Sequence, residues 1–345
     1  MAILCVLLGR GGKGAHPAPA PRAYLFCVPS VHLSVVVTAT PGRNDHFIAP
    51  FLRSLFATSV GAPHALRVTL TDNTPGSDLG RRMQQEFPQI TLIENTERRG
   101  YAANHNAALR DSDADYLVVA NDDLEFVPGG LAHAIEVMEQ PDNSRVGSAG
   151  MNLRNPDGSL QPSTYSFPGV FRILLDASSL RALIPFSGGM GVLARWVGRG
   201  GGRSRFWAHD RTLDVDTFRG AIVINRNSCV RAVGWMDEST LLGGEETDWH
   251  KRMMDAGWRI LFIHHALVIH HGSQTIRVAP TLHAEFLKGA MGFIARHRAR
   301  STYRFLRWTL MVVLTARWLV ARFRGPLERA QASLLLTTAW SWRAR

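Results

Sequence analysis

The chain has 345 residues, of which 46% are hydrophobic, enough for one large domain or two small ones around a sizeable core. Three cysteines, Cys5, Cys27 and Cys229, are too few and too scattered for a disulfide framework or a zinc cluster, so a reducing compartment is the simpler expectation. The net charge of +11 suits nucleic acid, an anionic lipid surface or a phosphorylated substrate.

The chain opens with "MAILCVLLGRGGKG", an apolar run that precedes its charges, the reverse of a secretory signal. The Gly/Pro/Ala stretch 9–21 reads as linker, so residues 1–30 are expected to be a disordered extension. From Val31 short apolar runs alternate with helical patterns. Strands are predicted over 32–40, 66–74, 90–96 and 115–123. Helices are predicted over 49–58, 77–87 (with Ser77 as cap), 100–111 and 129–140. Such alternation argues for an α/β fold, a mainly parallel sheet covered on both faces.

Ligands of such sheets bind beyond the carboxyl ends of the strands. Those ends carry Thr38 and Thr40, then Asp72 and Asn73, then Asn121, Asp122 and Asp123. Adjacent carboxylates in "NDD" repel, and a bound cation relieves them; the alternative is an Asx turn that merely ends the strand. A strand-end turn is also the competing reading of Asp72 and Asn73. The chain has no "GxGxxG" and no "GxxxxGK[ST]", which argues against an ordinary dinucleotide site and a P-loop. Gly100 to Asn106 opens a helix whose N–H groups suit phosphate, or simply packs closely because its residues are small.

The middle, about 146–217, is less regular, with a turn-rich "NPDGSLQPS" and a glycine-rich "RGGGRSR" loop at 199–205. The segment 243–258 reads as a helix that starts with Glu245, Glu246 and Asp248, acids that would act as a base or as caps on the helix dipole. One or two strands over 259–273 end in His270-His271. Between Lys288 and Arg324 there are nine Lys or Arg and no acid. Arg296, Arg300, Arg304 and Arg307 recur at helical spacing. The apolar run 308–316 stops at Arg317, short of the about 20 residues a span needs. The expectation is a helix lying on an anionic membrane surface, against a helix packed on the main domain.

In order, "SVVVTAT", "TDNTPGSD", "ENTERRGYAANHNAAL", "YLVVANDDLEFVPGGL", "NPDGSLQPS", "FRGAIVINR", "VGWMDE", "GGEETDW" and "VIHHGSQT" resemble the family 2 glycosyltransferases of GT-A fold, in particular the bacterial rhamnosyltransferase-like members. The resemblance covers about Val31 to Thr275. It implies a glycosyltransferase domain over 31–275; the basic region 276–345 is expected, from its Arg stripe and interrupted apolar run, to be helical and peripheral on the inner face of the cell membrane. It also implies a nucleotide-sugar donor (UDP-, dTDP- or GDP-linked), a divalent cation (Mg²⁺ or Mn²⁺), and inverting transfer to a hydroxyl of a glycan or lipid-linked acceptor. Asp123 then takes the metal-ligand position and His270 joins the metal or diphosphate. Asp122 replaces the usual Pro, and Asn104 fits a family Asn. Glu246 stands where the family has its catalytic Asp, with Asp248 second and Glu245 beside them. A sugar nucleotidyltransferase would need a Gly-rich basic loop after the first strand, which "TATPGRND" matches poorly. A basic nucleic-acid-binding protein would explain the charge but not the acids, so no nucleic-acid partner is expected.

Overall fold

The computed structural model describes residues 28–38, 44–59, 65–178, 209–272 and 281–341. Thr40, the 199–205 loop and nearly all of the 1–30 extension lie outside these residues. The chain-order reading of the first half is realised closely. Strand β1 (Ser30–Val37) is followed by helix α1 (Asn44–Ser59), β2 (Ala65–Asp72), α2 (Leu79–Glu86), β3 (Thr91–Glu94), α3 (Tyr101–Leu109), β4 (Tyr116–Ala120), β5 (Leu124–Phe126) and α4 (Gly130–Glu139). Before α2 the cap position is Asp78 and not Ser77, although the Ser77 hydroxyl accepts the Leu79 N–H at 3.1 Å.

The later elements are β6 (Val146–Arg154), β7 (Thr164–Tyr165), α5 (Val170–Ser178), β8 (Leu213–Asp214), β9 (Thr217–Phe218), β10 (Ile222–Arg226), α6 (Asn227–Val233), α7 (Glu245–Asp255) and β11 (Arg259–His270). Helices α8 (Thr281–His297), α9 (Arg300–Ala321) and α10 (Pro326–Ser341) close the described chain. The main sheet runs β3-β2-β1-β4-β10-β6-β11-β5, with β8 also paired to β11. Strands β3, β2, β1 and β4 are mutually parallel; β10 is antiparallel to both β4 and β6, and β11 is parallel to β6. The sheet is therefore mixed, and its parallel half delivers four carboxyl ends to one rim.

Alternate side chains of the strands feed two apolar layers. One holds Leu33, Val35, Leu70 and Val118 against Phe51, Leu52 and Leu55 of α1 and Ile135 and Met138 of α4. The other holds Leu117, Val119 and Phe262 against Leu109 of α3, Val230 of α6 and Trp249 and Met253 of α7. A third cluster joins α5, α8, α9 and α10 through residues such as Ile173, Met291, Leu310 and Leu335. Helix α8 is not a detached appendage, because it packs on the start of α7. Gly243 (φ 106°) and Gly244 (φ 93°) form a left-handed turn before α7, a conformation that favours glycine. Gly289 of α8 lies so close that a Cβ there would sit 1.9 Å from the Gly243 carbonyl oxygen. Gly289→Ala is expected to lower stability by about 1–3 kcal/mol, as overpacking against backbone does, and to reduce turnover by shifting the acidic start of α7. Thermal unfolding and a transfer assay check both effects.

Candidate active site

The rim is built from four backbone segments. Strand β4 ends at Ala120 and hands over to Asn121, Asp122 and Asp123; β10 enters beside it, with the Asn121 N–H donating to the Ala221 carbonyl at 2.8 Å. Strand β11 ends at His270, which pairs with Leu124 of β5. The first turn of α7 brings Glu245 and Glu246 to the same place. Their common neighbour is Tyr101, at the start of α3. Burial first, and then the negative charges of Glu246, Glu245, Asp123 and Asp122, push its phenol pKa well up. The Tyr101 hydroxyl donates to the Gly220 carbonyl at 3.0 Å and lies 3.3 Å from the Asn121 side-chain oxygen. The ring of His105, whose Nδ1 bonds Ser34 at 2.9 Å, packs edge-on against it, and burial lowers the His105 pKa to about 3.

Asp123 and His270 are both buried, with Asp123 Oδ1 3.2 Å from His270 Nε2. Gln161 fixes the imidazole. Its amide nitrogen donates to Asn155 at 2.9 Å and approaches the His270 carbonyl at 3.4 Å, so its oxygen is the atom that meets His270 Nδ1 at 2.5 Å. An amide oxygen only accepts, so Nδ1 carries a proton. Nε2 then presents its lone pair to the Asp123 carboxylate, and two acceptors in a buried place repel unless a cation or a further proton lies between them. One imidazole oriented by an outer hydrogen bond and one carboxylate fit a divalent cation that keeps other places for phosphate oxygens and water. Among the described residues no cluster of three or more His, Cys, Asp or Glu forms a protein-only cage.

The α7 acids divide by environment. Both Glu245 oxygens accept the Gly243 N–H at 2.7 Å, and burial, reinforced by Glu246, raises its pKa to about 8. Burial also raises the Glu246 pKa, while backbone N–H groups including that of Gly220, and the Arg219 charge, pull against it. Because Glu245 titrates higher in the folded state, its contribution to stability is complete below about 4.5 and is lost as pH rises through about 8. Thermal unfolding across that range should show the loss, and Glu245→Gln should flatten it.

Asp248 is not exposed to the rim. Burial alone would raise its pKa, but Arg296, Arg252 and His297 outweigh it and hold it below the usual value. Its oxygens accept from Arg252 at 2.9 Å, Arg296 at 2.8 Å and His297 at 2.8 Å. These contacts make Asp248 an anchor between α7 and α8. Arg296 also reaches Asp237 at 2.6 Å, which takes it out of the surface stripe that its spacing suggested.

Several rim residues hold loops. Asp72 accepts the Thr74 and Gly80 N–H groups, both at 3.0 Å, and so ends β2 and starts α2. Asn73 accepts the Arg99 N–H at 2.9 Å and donates to the Arg99 carbonyl at 3.0 Å; Asn95 bridges it to Asn104, which donates to the Gly100 carbonyl at 3.0 Å. This network shapes the 95–100 loop that presents Tyr101. Gly100 is required by close approach, since a Cβ would lie 2.9 Å from the Thr240 carbonyl oxygen. The Tyr101 N–H is donated to the Leu241 carbonyl at 2.8 Å, so the first N–H of α3 is not turned to a phosphate. Thr38 follows β1 at the rim, half-buried. Tyr101, Gln161 and Arg219 were not singled out by sequence reasoning. Each sits inside a quoted motif, "ENTERRGYAANHNAAL", "NPDGSLQPS" or "FRGAIVINR", but only their contacts show what they do.

A sheet of this order, with carboxylates at its parallel rim facing an acidic helix start, defines a GT-A glycosyltransferase. Residues 34–195 match the model of the family described as glycosyl transferase family 2. The chain is 27% identical over 295 residues, 82% of its length and 90% of theirs, to N-acetylglucosaminyl-diphospho-decaprenol L-rhamnosyltransferases of Mycobacterium tuberculosis. Two solved structures share its fold. A mannosyltransferase from Pyrobaculum calidifontis, in complex with GDP-Man and Mn²⁺, aligns with TM-score 0.51 at 18% identity over 90% of this chain and 80% of that one. GalNAc-T7 with UDP, GalNAc and Mn²⁺ aligns with TM-score 0.52 at 10% identity over 90% of this chain and 54% of that one.

Proposed function

We propose that this glycosyltransferase moves a sugar, a deoxyhexose such as rhamnose being the first to test, from a nucleoside-diphosphate donor to a hydroxyl of a lipid-linked acceptor, with inversion. The observation that carries the reading is the meeting of the strand-end segment Asn121–Asp123 and the Glu246 side chain at the Tyr101–Gly220 hydrogen bond. The likeness to a rhamnosyltransferase named for a decaprenol-linked substrate supports the choice of donor and acceptor.

Asp123 and His270 would hold the divalent cation, which when bound stabilises the charge that develops on the departing diphosphate. Tyr101 and Gly220 shape the floor between that place and α7. Glu246 takes the proton from the acceptor hydroxyl as it attacks; its raised pKa brings a carboxylate closer to the operating pH, where a general base works best. Glu245, closed on Gly243, holds the helix start in place. Arg219, itself held by the Tyr165 hydroxyl at 2.9 Å, keeps Glu246 from becoming too basic. A transfer assay with UDP-, dTDP- and GDP-sugars, a prenyl-diphosphate-sugar acceptor and Mn²⁺ or Mg²⁺ tests the reading. No transfer from any donor to any such acceptor would overturn it.

Gln161 is a positioning residue in this scheme. Gln161→Leu should weaken Mn²⁺ binding in the presence of nucleoside diphosphate by about 10–100-fold, the range for lost outer-shell partners. Electron paramagnetic resonance measures the affinity directly. A merely structural role would lower the melting temperature and leave the Mn²⁺ affinity of the folded fraction unchanged.

A further inference from the structure

Helix α9 has two apolar faces, and only one of them is covered. Leu306, Leu310 and Leu314 are buried against α5, α8 and α10. On the opposite side Phe305, Trp308, Val312 and Leu319 stand exposed, and the row continues into Phe323, which is 93% exposed in the turn before α10. Their steps of three, four, seven and four residues keep them on one helix face. Leu327 and Trp340 of α10 are exposed as well. Most of the large exposed apolar side chains of the described residues therefore fall on this pair of helices and the turn between them, more than scattered surface apolar residues would give.

Beside the apolar row runs a line of arginines. Arg300, Arg304 and Arg307, with Trp308 and Trp340, line a groove of about 530 Å³. Helix α9 contains no Asp or Glu, and Arg300 and Arg304 make no ion pair among the described residues. Arg307 donates to the Trp340 carbonyl at 2.7 Å and so fixes the groove's edge on α10. No helix of the described residues is long and apolar enough to cross a membrane.

We propose that this face of α9 and α10 docks on an anionic lipid bilayer, with the Phe305–Phe323 row entering the headgroup boundary and the Arg300–Arg304–Arg307 groove taking lipid phosphates. An apolar stripe flanked by arginine and tryptophan is what an interfacial helix requires. A second copy of the chain fits less well, because α9 carries no Asp or Glu with which to meet the arginine line of another copy. The proposal deepens the lipid-linked acceptor reading and rests on it for its purpose. The face sits on helices packed against α8, which itself braces α7, so docking would hold the acidic helix start at a fixed height above the membrane.

Flotation of the full chain tests the proposal, with vesicles of phosphatidylcholine alone and with about 30% phosphatidylglycerol. The wild type should float with the anionic vesicles and be released by high salt. Arg300→Gln with Arg304→Gln should weaken that binding by roughly 25-fold, about 5-fold per arginine, the equivalent of about 1 kcal/mol each. Trp308→Ser with Phe323→Ser should weaken it further at any salt. All four side chains are exposed, so melting temperatures should hold. Failure of the wild type to float, or flotation unchanged in both double variants, overturns the proposal. So does a shift from dimer to monomer without change in flotation, which would make the face a self-association surface. Mn²⁺-dependent hydrolysis of the donor, measured on the same samples, separates the two readings: if it persists while flotation fails, docking alone is refuted.

Discussion

Glu246→Gln lowers sugar transfer by roughly 10²–10⁴-fold, the range for loss of a general base, while donor binding changes little. The amide keeps the shape of the side chain and its place beside Gly220 but cannot take the acceptor's proton. The pH profile provides a second reading. Burial raises the Glu246 pKa, so the acid limb of kcat/KM in the wild type should lie above the ordinary carboxylate range and disappear in the variant. The comparison with Asp248→Asn is the sharper test. Asp248 is tied to Arg252, Arg296 and His297, so its loss should lower the melting temperature and leave the acid limb where it was. A near wild-type Glu246→Gln together with an Asp248→Asn that is folded but inactive would transfer the base to Asp248.

The parts of the fold legible in the sequence are those where local pattern and tertiary role agree. Strands β1 and β4 are rich in apolar residues because both sheet faces are buried there, and the intervening helices carry their own punctuation. Strand β6 falls in the middle region that reads as less regular, and its "VGSAGMNLR" is rich in small residues. Its smallness comes from its neighbours: a Cβ at Gly147 would meet Cys229 Sγ at 2.6 Å, and one at Gly150 would meet the Phe218 ring at 2.6 Å. No property of the segment alone reports those contacts. The same holds for Arg296, whose spacing matches a surface stripe while two carboxylates from distant segments pair with it. The strand-end polar residues were visible as a group, but their division of labour was not. Asp72, Asn73 and Asn104 close hydrogen bonds with nearby backbone, and only Asp123 meets a histidine delivered by a strand far along the chain.

That meeting carries the second large effect. Asp123→Ala should remove metal-dependent turnover, lowering transfer by at least about 10²-fold, since metal stabilisation of leaving-group charge is worth several kcal/mol and about 1.4 kcal/mol is a factor of ten. The backbone should tolerate the change, because the bond that joins this turn to β11 runs from the His271 N–H to the Asp123 carbonyl, at 2.9 Å, and does not involve the side chain. The two readings of the Asp123–His270 pair predict different behaviour in the absence of donor. If the pair waits for a cation, Mn²⁺ should raise the melting temperature of the wild type in the presence of nucleoside diphosphate, and Asp123→Ala should abolish the rise. If the pair is only an ion pair between a carboxylate and a doubly protonated imidazole, Mn²⁺ should leave the wild type unchanged and Asp123→Ala should cost stability at every metal concentration. Undiminished transfer by the variant, or full wild-type activity in excess chelator, would refute the metal role of Asp123.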